Sequence, residues 1–296
     1  MEYKDFEKNI FEGINDFDLV HIFECGQCFR WTKAAVEGAE SKEYEKCEEC
    51  ENEASSYIGV AGSYAARISY SEGKLVIEAS GGDRSFWADY FDLGTDYGAI
   101  KRRLTDCDAK IKAATEYGCG IRILNQDLFE TLISFIISQN NNIPRIRKCI
   151  EAICEKYGSL IGEIGGKPVY AFPTPEALAA AEPEDLAALK LGYRSSYIVQ
   201  SSREYIECKE PSCREELICM HGIGPKVANC IMLFGLRDVA AFPIDTWVRH
   251  IMSDMYGFDE KDVSGMESFA REKFGDYAGY AQQYLFYYYR DRGSKK

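Results

Sequence analysis

Lys226 and Asp245 are the residues whose settings suit covalent chemistry. Lys226 stands at the mouth of an apolar segment, Pro225 to Phe234, directly after the turn Gly222-Ile223-Gly224. Leu217, Ile218 and Met220 precede the turn, and Val227, Cys230, Ile231 and Phe234 follow it. That spacing gives each flank one apolar stripe, so 214–235 reads as helix, hairpin, helix. Gly222 and Gly224 offer the positive-φ freedom a hairpin needs, and Pro225 suits a first helical position. Backbone N–H groups of Gly222, Gly224 and Val227 would then point outward beside a helix N-terminus, where they can bind phosphate without any basic side chain. Asp245 follows Phe242-Pro243-Ile244 and opens another apolar helix, the position of an N-cap. A carboxylate near a lysine at such a turn can also act as the electrostatic partner of an amine nucleophile.

Two kinds of structure must hold these residues in place. Residues 1–120 alternate β-like runs with turns. His21 to Trp31 reads as strand, turn, strand. Ser56 to Ala61, Tyr64 to Tyr70 and Lys74 to Glu78 read as antiparallel strands with short turns, and helical spacing begins at Ser85 to Phe91 and Tyr97 to Leu104. Residues 121–296 read as helical nearly throughout, with a break at Asn140-Asn141-Asn142 before a helix from Ile143 to Tyr157. Leu191-Gly192-Tyr193-Arg194 interrupts before a helix through Cys208, and two helices close the chain, about Ser264 to Phe274 and Tyr277 to Tyr289. The predicted fold is therefore α+β, an antiparallel sheet subdomain followed by a mostly α-helical domain.

Composition narrows the function classes. A hydrophobic content of 46% over 296 residues is ample for a core. No stretch is long and apolar enough to span a membrane, and the N-terminus has neither a signal core nor transit-peptide character, which predicts a cytoplasmic, prokaryotic, nucleoid-associated protein. The net charge of −13 argues against a nucleic-acid partner at first sight. Much of it is local, because 37–53 holds eight glutamates against Lys42 and Lys46. Basic residues cluster elsewhere, at Arg145, Arg147 and Lys148, at Arg102 and Arg103, and at the C-terminus. Twelve cysteines without a secretory signal are expected as free thiols. Cys25-x-x-Cys28 and Cys47-x-x-Cys50 have spacing that a zinc site could use, although Cys25 and Cys28 flank a glycine with a competing role described next.

Gly222-Ile223-Gly224-Pro225-Lys226 with Phe242-Pro243-Ile244-Asp245 resembles the motif of the helix-hairpin-helix, Gly/Pro-Asp superfamily of DNA base-excision glycosylases. Members with an iron–sulfur cluster carry four cysteines after the aspartate helix, whereas here the last cysteine is Cys230. Monofunctional alkylated-base members lack the hairpin lysine. What remains resembles 8-oxoguanine DNA glycosylase over nearly the whole chain. Gly26-Gln27-Cys28-Phe29-Arg30-Trp31 matches its N-terminal motif, whose glycine carbonyl accepts from N7–H of the oxidised base. Guanine N7 is an acceptor that oxidation at C8 turns into a donor, so one carbonyl separates lesion from normal base. Gly279 to Phe286 matches the pocket helix, which implies Gln282 on the Watson–Crick edge and Phe286 stacked on the base. The resemblance places Cys230 on the other face of the base, paired electrostatically with Lys226. Gln126-Asp127 and Ser138 to Arg145 match the strand-separating segment, with Asn140 and Arg145 on the orphaned cytosine, Arg194 assisting and Tyr193 as the wedge.

The resemblance thus implies a monomeric enzyme that acts on double-stranded DNA carrying 8-oxoguanine, with Lys226 and Asp245 catalytic and no cofactor or metal in the chemistry. Two alternatives share the hairpin: a glycosylase of the same fold for another damaged base, and a non-catalytic DNA-binding protein. Trp247 departs from the family pattern, since the eukaryotic members have a phosphate-contacting histidine there. The acidic insertion 37–53 matches no part of the motif.

Overall fold

The computed structural model describes residues 6–34, 55–164 and 166–292. Five strands form one antiparallel sheet: β1 (Glu7–Phe11), β2 (Trp31–Lys33), β3 (Ser55–Ala61), β4 (Tyr64–Ser71) and β5 (Lys74–Ala79), in the order β1-β5-β4-β3-β2. Ile68 opposite Ile77 and Tyr70 opposite Leu75 set the β4–β5 register. Ile68, Leu75, Ile77 and Ala79 are fully buried, so a one-residue slip would turn the inner face outward. Behind the sheet, Phe23 stacks on Trp31 at 4.6 Å, and the Trp31 indole donates to the Tyr90 hydroxyl at 2.7 Å.

The first part of the predicted strand, turn, strand at 21–31 is instead a helix, Leu19–Glu24. Asp18 caps it by accepting from the His21 N–H at 2.9 Å, and Leu19, Ile22 and Phe23 share its buried face. Helical spacing of three large apolar residues after a good N-cap outweighed the β-propensity of Ile22 and Phe23. Only Trp31 onward is strand. Cys47 and Cys50, and with them the zinc spacing and the acidic insertion, lie outside the described residues.

Helices dominate from Leu128 on. Helix Leu128–Ser138 is the central one: Phe129 and every residue from Thr131 to Ile137 are buried, as expected of a helix apolar all round. Against it pack Ile143–Tyr157, Arg194–Cys208 and Pro225–Phe234, and Thr246–Tyr256 packs on Ala278–Arg292 within the same core. One departure is a hairpin of β6 (Leu160–Ile164) and β7 (Lys167–Tyr170) within the region predicted helical. The segment is short and carries Pro168 and Gly162, which suit an irregular hairpin and no helix.

The sheet and the helices are sewn together by Arg122, which is 4% exposed. Its guanidinium donates to the carbonyls of Asp16, Asp92 and Asn15 at 3.1, 2.6 and 3.0 Å and lies over the Tyr97 ring. A buried cation with three hydrogen bonds to backbone carbonyls ties its own stretch to the loops at 15–16 and 92. Among the described residues, no helix is long and apolar enough to cross a membrane.

Candidate active site and DNA interface

The hairpin forms between helices Arg214–Cys219 and Pro225–Phe234. Gly222 has φ of 76°, and a Cβ there would meet the Tyr197 side chain at 2.7 Å, so glycine is required twice over. Gly224 does not need that freedom. Its φ is −89°, an ordinary value, and a Cβ would meet nothing within 4 Å. Gly224 instead leaves open space before the helix start. The first helical bond runs from Ala228 N–H to the Gly224 carbonyl at 2.9 Å, which leaves the preceding amides without an intrahelical acceptor. Leu217 and Met220 are buried as expected, while Ile218 is exposed.

Lys226 and Asp245 line one cleft of about 1050 Å³, together with Asn140, Arg145, Tyr193, Gly224, Val227 and Trp247. Asp245 caps helix Thr246–Tyr256, accepting from the Val248 N–H at 2.8 Å, and its second carboxylate oxygen is left for other work. Among the described residues no ion pair joins Lys226 to Asp245. The Lys226 ammonium lies 5.4 Å from the Phe135 ring centre and faces the buried Cys230. Burial raises the Cys230 thiol above its ordinary value, and Lys226 opposes that rise without reversing it.

The three asparagines divide their labour. Asn141 donates to the Ile137 carbonyl at 3.1 Å and closes the helix before it, and Asn142 caps the next helix by accepting from Arg145 N–H at 3.0 Å. Asn140 is exposed and takes a left-handed backbone, φ 49°, which asparagine tolerates better than most residues. Tyr193 is half exposed, packed edge-on against Tyr197 and beneath the Arg194 guanidinium. Arg145 is exposed and donates to the Lys190 carbonyl at 3.1 Å. Arg194 is placed differently from expectation. It is buried under the loop, donating to the carbonyls of Gln139 and Asn140 at 3.0 Å each, and it does not line the cleft. A guanidinium needs several acceptors once buried, and these carbonyls supply them.

The remaining predicted residues meet away from the cleft. Gly26, with φ 85°, sits so close to Phe286 that a Cβ would lie 3.3 Å from its ring. Gln282, one turn earlier on the same helix, is 5% exposed, and its side-chain carbonyl has no hydrogen-bond partner among the described residues. A buried acceptor without a partner calls for an explanation, and a base edge with N–H donors would supply one.

These positions bear comparison with known proteins. Residues 9–132 match the model of the 8-oxoguanine DNA glycosylase N-terminal domain, and residues 133–275 match that of the HhH-GPD superfamily of base excision DNA repair proteins. A probable N-glycosylase/DNA lyase of Methanothermobacter thermautotrophicus is 33% identical over 63% of this chain and 69% of its own. The chain belongs to the 8-oxoguanine DNA glycosylase family. The N-glycosylase/DNA lyase of Saccharomyces cerevisiae is also 33% identical, over 56% of each chain, so the match spans little more than half of the yeast protein's length. In structure, the Clostridium acetobutylicum 8-oxoguanine glycosylase/lyase in complex with dsDNA containing cytosine opposite to 8-oxoG is similar at a TM-score of 0.85 and 37% identity, covering 99% of this chain and 100% of that one.

Within this family member, two cleft residues escaped the sequence reading. Gln139 donates to the Gly222 carbonyl at 2.8 Å and so ties the asparagine loop to the hairpin. Arg249 lines the cleft with a buried Nε that has no hydrogen-bond partner among the described residues. The signal for Arg249 was its place one helical turn after Asp245. Gln139 carried none, because its partner lies far along the chain.

Proposed function

We propose that this chain is a bifunctional, monomeric DNA repair glycosylase that excises 8-oxoguanine opposite cytosine from double-stranded DNA and then nicks the abasic strand. The observation that carries this reading is the position of Lys226, which lines the open cleft beside Asp245 and also faces buried Cys230. The hairpin amides around Gly222, Gly224 and Val227 hold a DNA phosphate. Tyr193 fills the gap left by the extruded nucleotide, at an unstacking cost of a few kcal/mol, while Asn140 and Arg145 hydrogen-bond the orphaned cytosine. Arg194 supports them by fixing the carbonyls of their loop.

The flipped base lies between Phe286 and Cys230, with its N7–H toward the Gly26 carbonyl and its Watson–Crick edge toward Gln282. As the glycosidic bond breaks, the base leaves with the bonding pair and positive charge builds on the sugar, where the Asp245 carboxylate stabilises it. The neutral Lys226 amine bonds to C1′, and opening of the sugar ring gives a Schiff base. Loss of a C2′ proton then expels the 3′ phosphate by β-elimination. All groups in these steps are side chains or backbone, and no cofactor enters.

Borohydride trapping tests the proposal. Reduction during turnover of a duplex carrying 8-oxoguanine opposite cytosine should yield a covalent protein–DNA complex with the wild type and none with Lys226→Gln. Absence of any adduct with the wild type would remove the enzyme reading.

A further inference from the structure

We infer that Gln27 is a positioning residue for base recognition, whose buried amide aims the Gly26 carbonyl. The inference rests on the reading of Gly26 as the lesion-sensing group. At φ 85° Gly26 occupies a region open to glycine, where the peptide that follows can turn at little steric cost. The direction of its carbonyl is therefore set by whatever holds the next residue.

Gln27 holds it from every side. The residue is 1% exposed. Its side-chain nitrogen donates to the carbonyls of Ile22 at 2.9 Å and Arg122 at 2.8 Å, with the Cys25 sulfur at 3.3 Å. Its side-chain oxygen accepts from the Leu124 N–H at 2.8 Å. The Gln27 main-chain carbonyl in turn accepts from the Gln126 side chain at 2.8 Å. One amide thus bridges the end of helix Leu19–Glu24 and the extended stretch 122–124, and Gln126 pins the far side of the same residue. Turning the Gly26–Gln27 peptide would pull Gln27 away from the buried hydrogen bonds of its side chain and its main-chain carbonyl, each of which is costly to leave unmade. Arg122, through which this clamp runs, is the same residue that fixes the loops at Asn15, Asp16 and Asp92.

A glutamine that merely stabilised the fold would, when lost, depress every activity together. A glutamine that aims the carbonyl affects the step that depends on base identity and spares the step that does not. Two variants separate these cases. Gln27→Met keeps the length of the side chain and removes its polar bonds. Gln126, although in the stretch that resembles a strand-separating segment, is turned to the Gln27 carbonyl and does not line the cleft; Gln126→Met removes that bond from a half-buried site and remains informative if Gln27→Met fails to fold.

Each is measured for single-turnover excision of 8-oxoguanine opposite cytosine and for nicking of a preformed abasic site in the same sequence. Excision should fall about tenfold or more in Gln27→Met, the rate equivalent of one good hydrogen bond to the lesion, and less in Gln126→Met. Nicking of the abasic duplex should change by no more than about twofold in either, because it needs no base contact. Unchanged excision in both variants, or excision and nicking falling in parallel in folded protein, would overturn the inference. A wild type that nicks abasic DNA yet leaves 8-oxoguanine untouched would overturn the reading of Gly26 first, and the clamp with it.

Discussion

The cleft and the base pocket are built on opposite plans. The cleft is wide and polar, its rim carries the exposed Tyr193 and Trp247, and it is assembled from loops and helix starts at 138–145, 193, 224–229 and 244–249. Gly26 of the N-terminal unit packs against Phe286 of the last helix, Gln282 lies one turn earlier on that helix, and Cys230 stands behind Lys226. The cleft offers backbone amides and a few cations, groups that any duplex satisfies. On the proposed function the flipped base meets one carbonyl, one glutamine and two apolar faces, groups that only particular bases satisfy. On that reading affinity and identity fall to different parts of the chain, and Lys226 stands on the border between them. The division also accounts for the acidic composition, since amides at a helix start bind phosphate without adding positive residues.

The largest effect should come from the border itself. Asp245→Asn removes the charge that stabilises the developing cation while keeping a side chain that caps a helix equally well. Excision should drop about 10²- to 10³-fold with duplex affinity and thermal stability nearly unchanged. A comparable loss of stability would show that Asp245 acts here mainly as the cap of helix Thr246–Tyr256.

A pocket change comes next. Gly26→Ala places a methyl group 3.3 Å from the Phe286 ring at a φ that alanine rarely adopts. Excision of 8-oxoguanine should fall about 10- to 100-fold, well beyond any loss in binding undamaged duplex. Equal losses in both would mean that pocket and cleft are not separable.

The two hairpin glycines sharpen the contrast from the cleft side. Gly222→Ala should destabilise the fold by about 2 kcal/mol or more, because Tyr197 blocks its Cβ and its φ is positive. Gly224→Ala should fold normally, yet weaken binding of damaged and undamaged duplexes alike by about 1 kcal/mol, as its Cβ stands where a phosphate approaches. Thermal melts and duplex titrations on the pair separate the roles. Selective loss of 8-oxoguanine binding in Gly224→Ala would contradict the assignment of the hairpin to affinity.

These glycines also mark how far the residues alone could be read. The hairpin, the cap at Asp245 and the break at Asn140 were legible because each is a local device with a sequence signature. The helix at Leu19–Glu24 was not, since its β-favouring residues masked the cap at Asp18, and the β6–β7 hairpin left no period long enough to detect. Gly222 and Gly224 looked equivalent, and only the fold distinguishes them, through the positive φ of Gly222 and the Tyr197 ring packed against it. Arg194 was expected to assist at the orphaned cytosine, and the Gln139 and Asn140 carbonyls that hold it lie more than fifty positions away. Contacts of that kind have no signature in a single sequence.

The smallest predicted effect concerns the support behind the pocket. Arg30 follows the Gly26 loop, pairs with Glu130 at 3.5 Å and donates to the Tyr170 carbonyl. Burial pushes the Glu130 carboxyl up from 4.5 to about 7, and the nearby Arg30 only partly offsets it. A carboxyl whose value is raised on folding stabilises the protein most when protonated, so its contribution is full below 4.5 and is lost as pH rises toward about 7. Glu130→Gln removes this titration. The melting temperature of the variant relative to the wild type should therefore rise between those pH values and level off above them. If the difference stayed flat with pH, Glu130 would remain ionised through this range, and Arg30 would hold the lesion loop through a permanent ion pair. Either result leaves cleft binding of undamaged duplex unchanged, because no part of the Arg30–Glu130 pair reaches that surface.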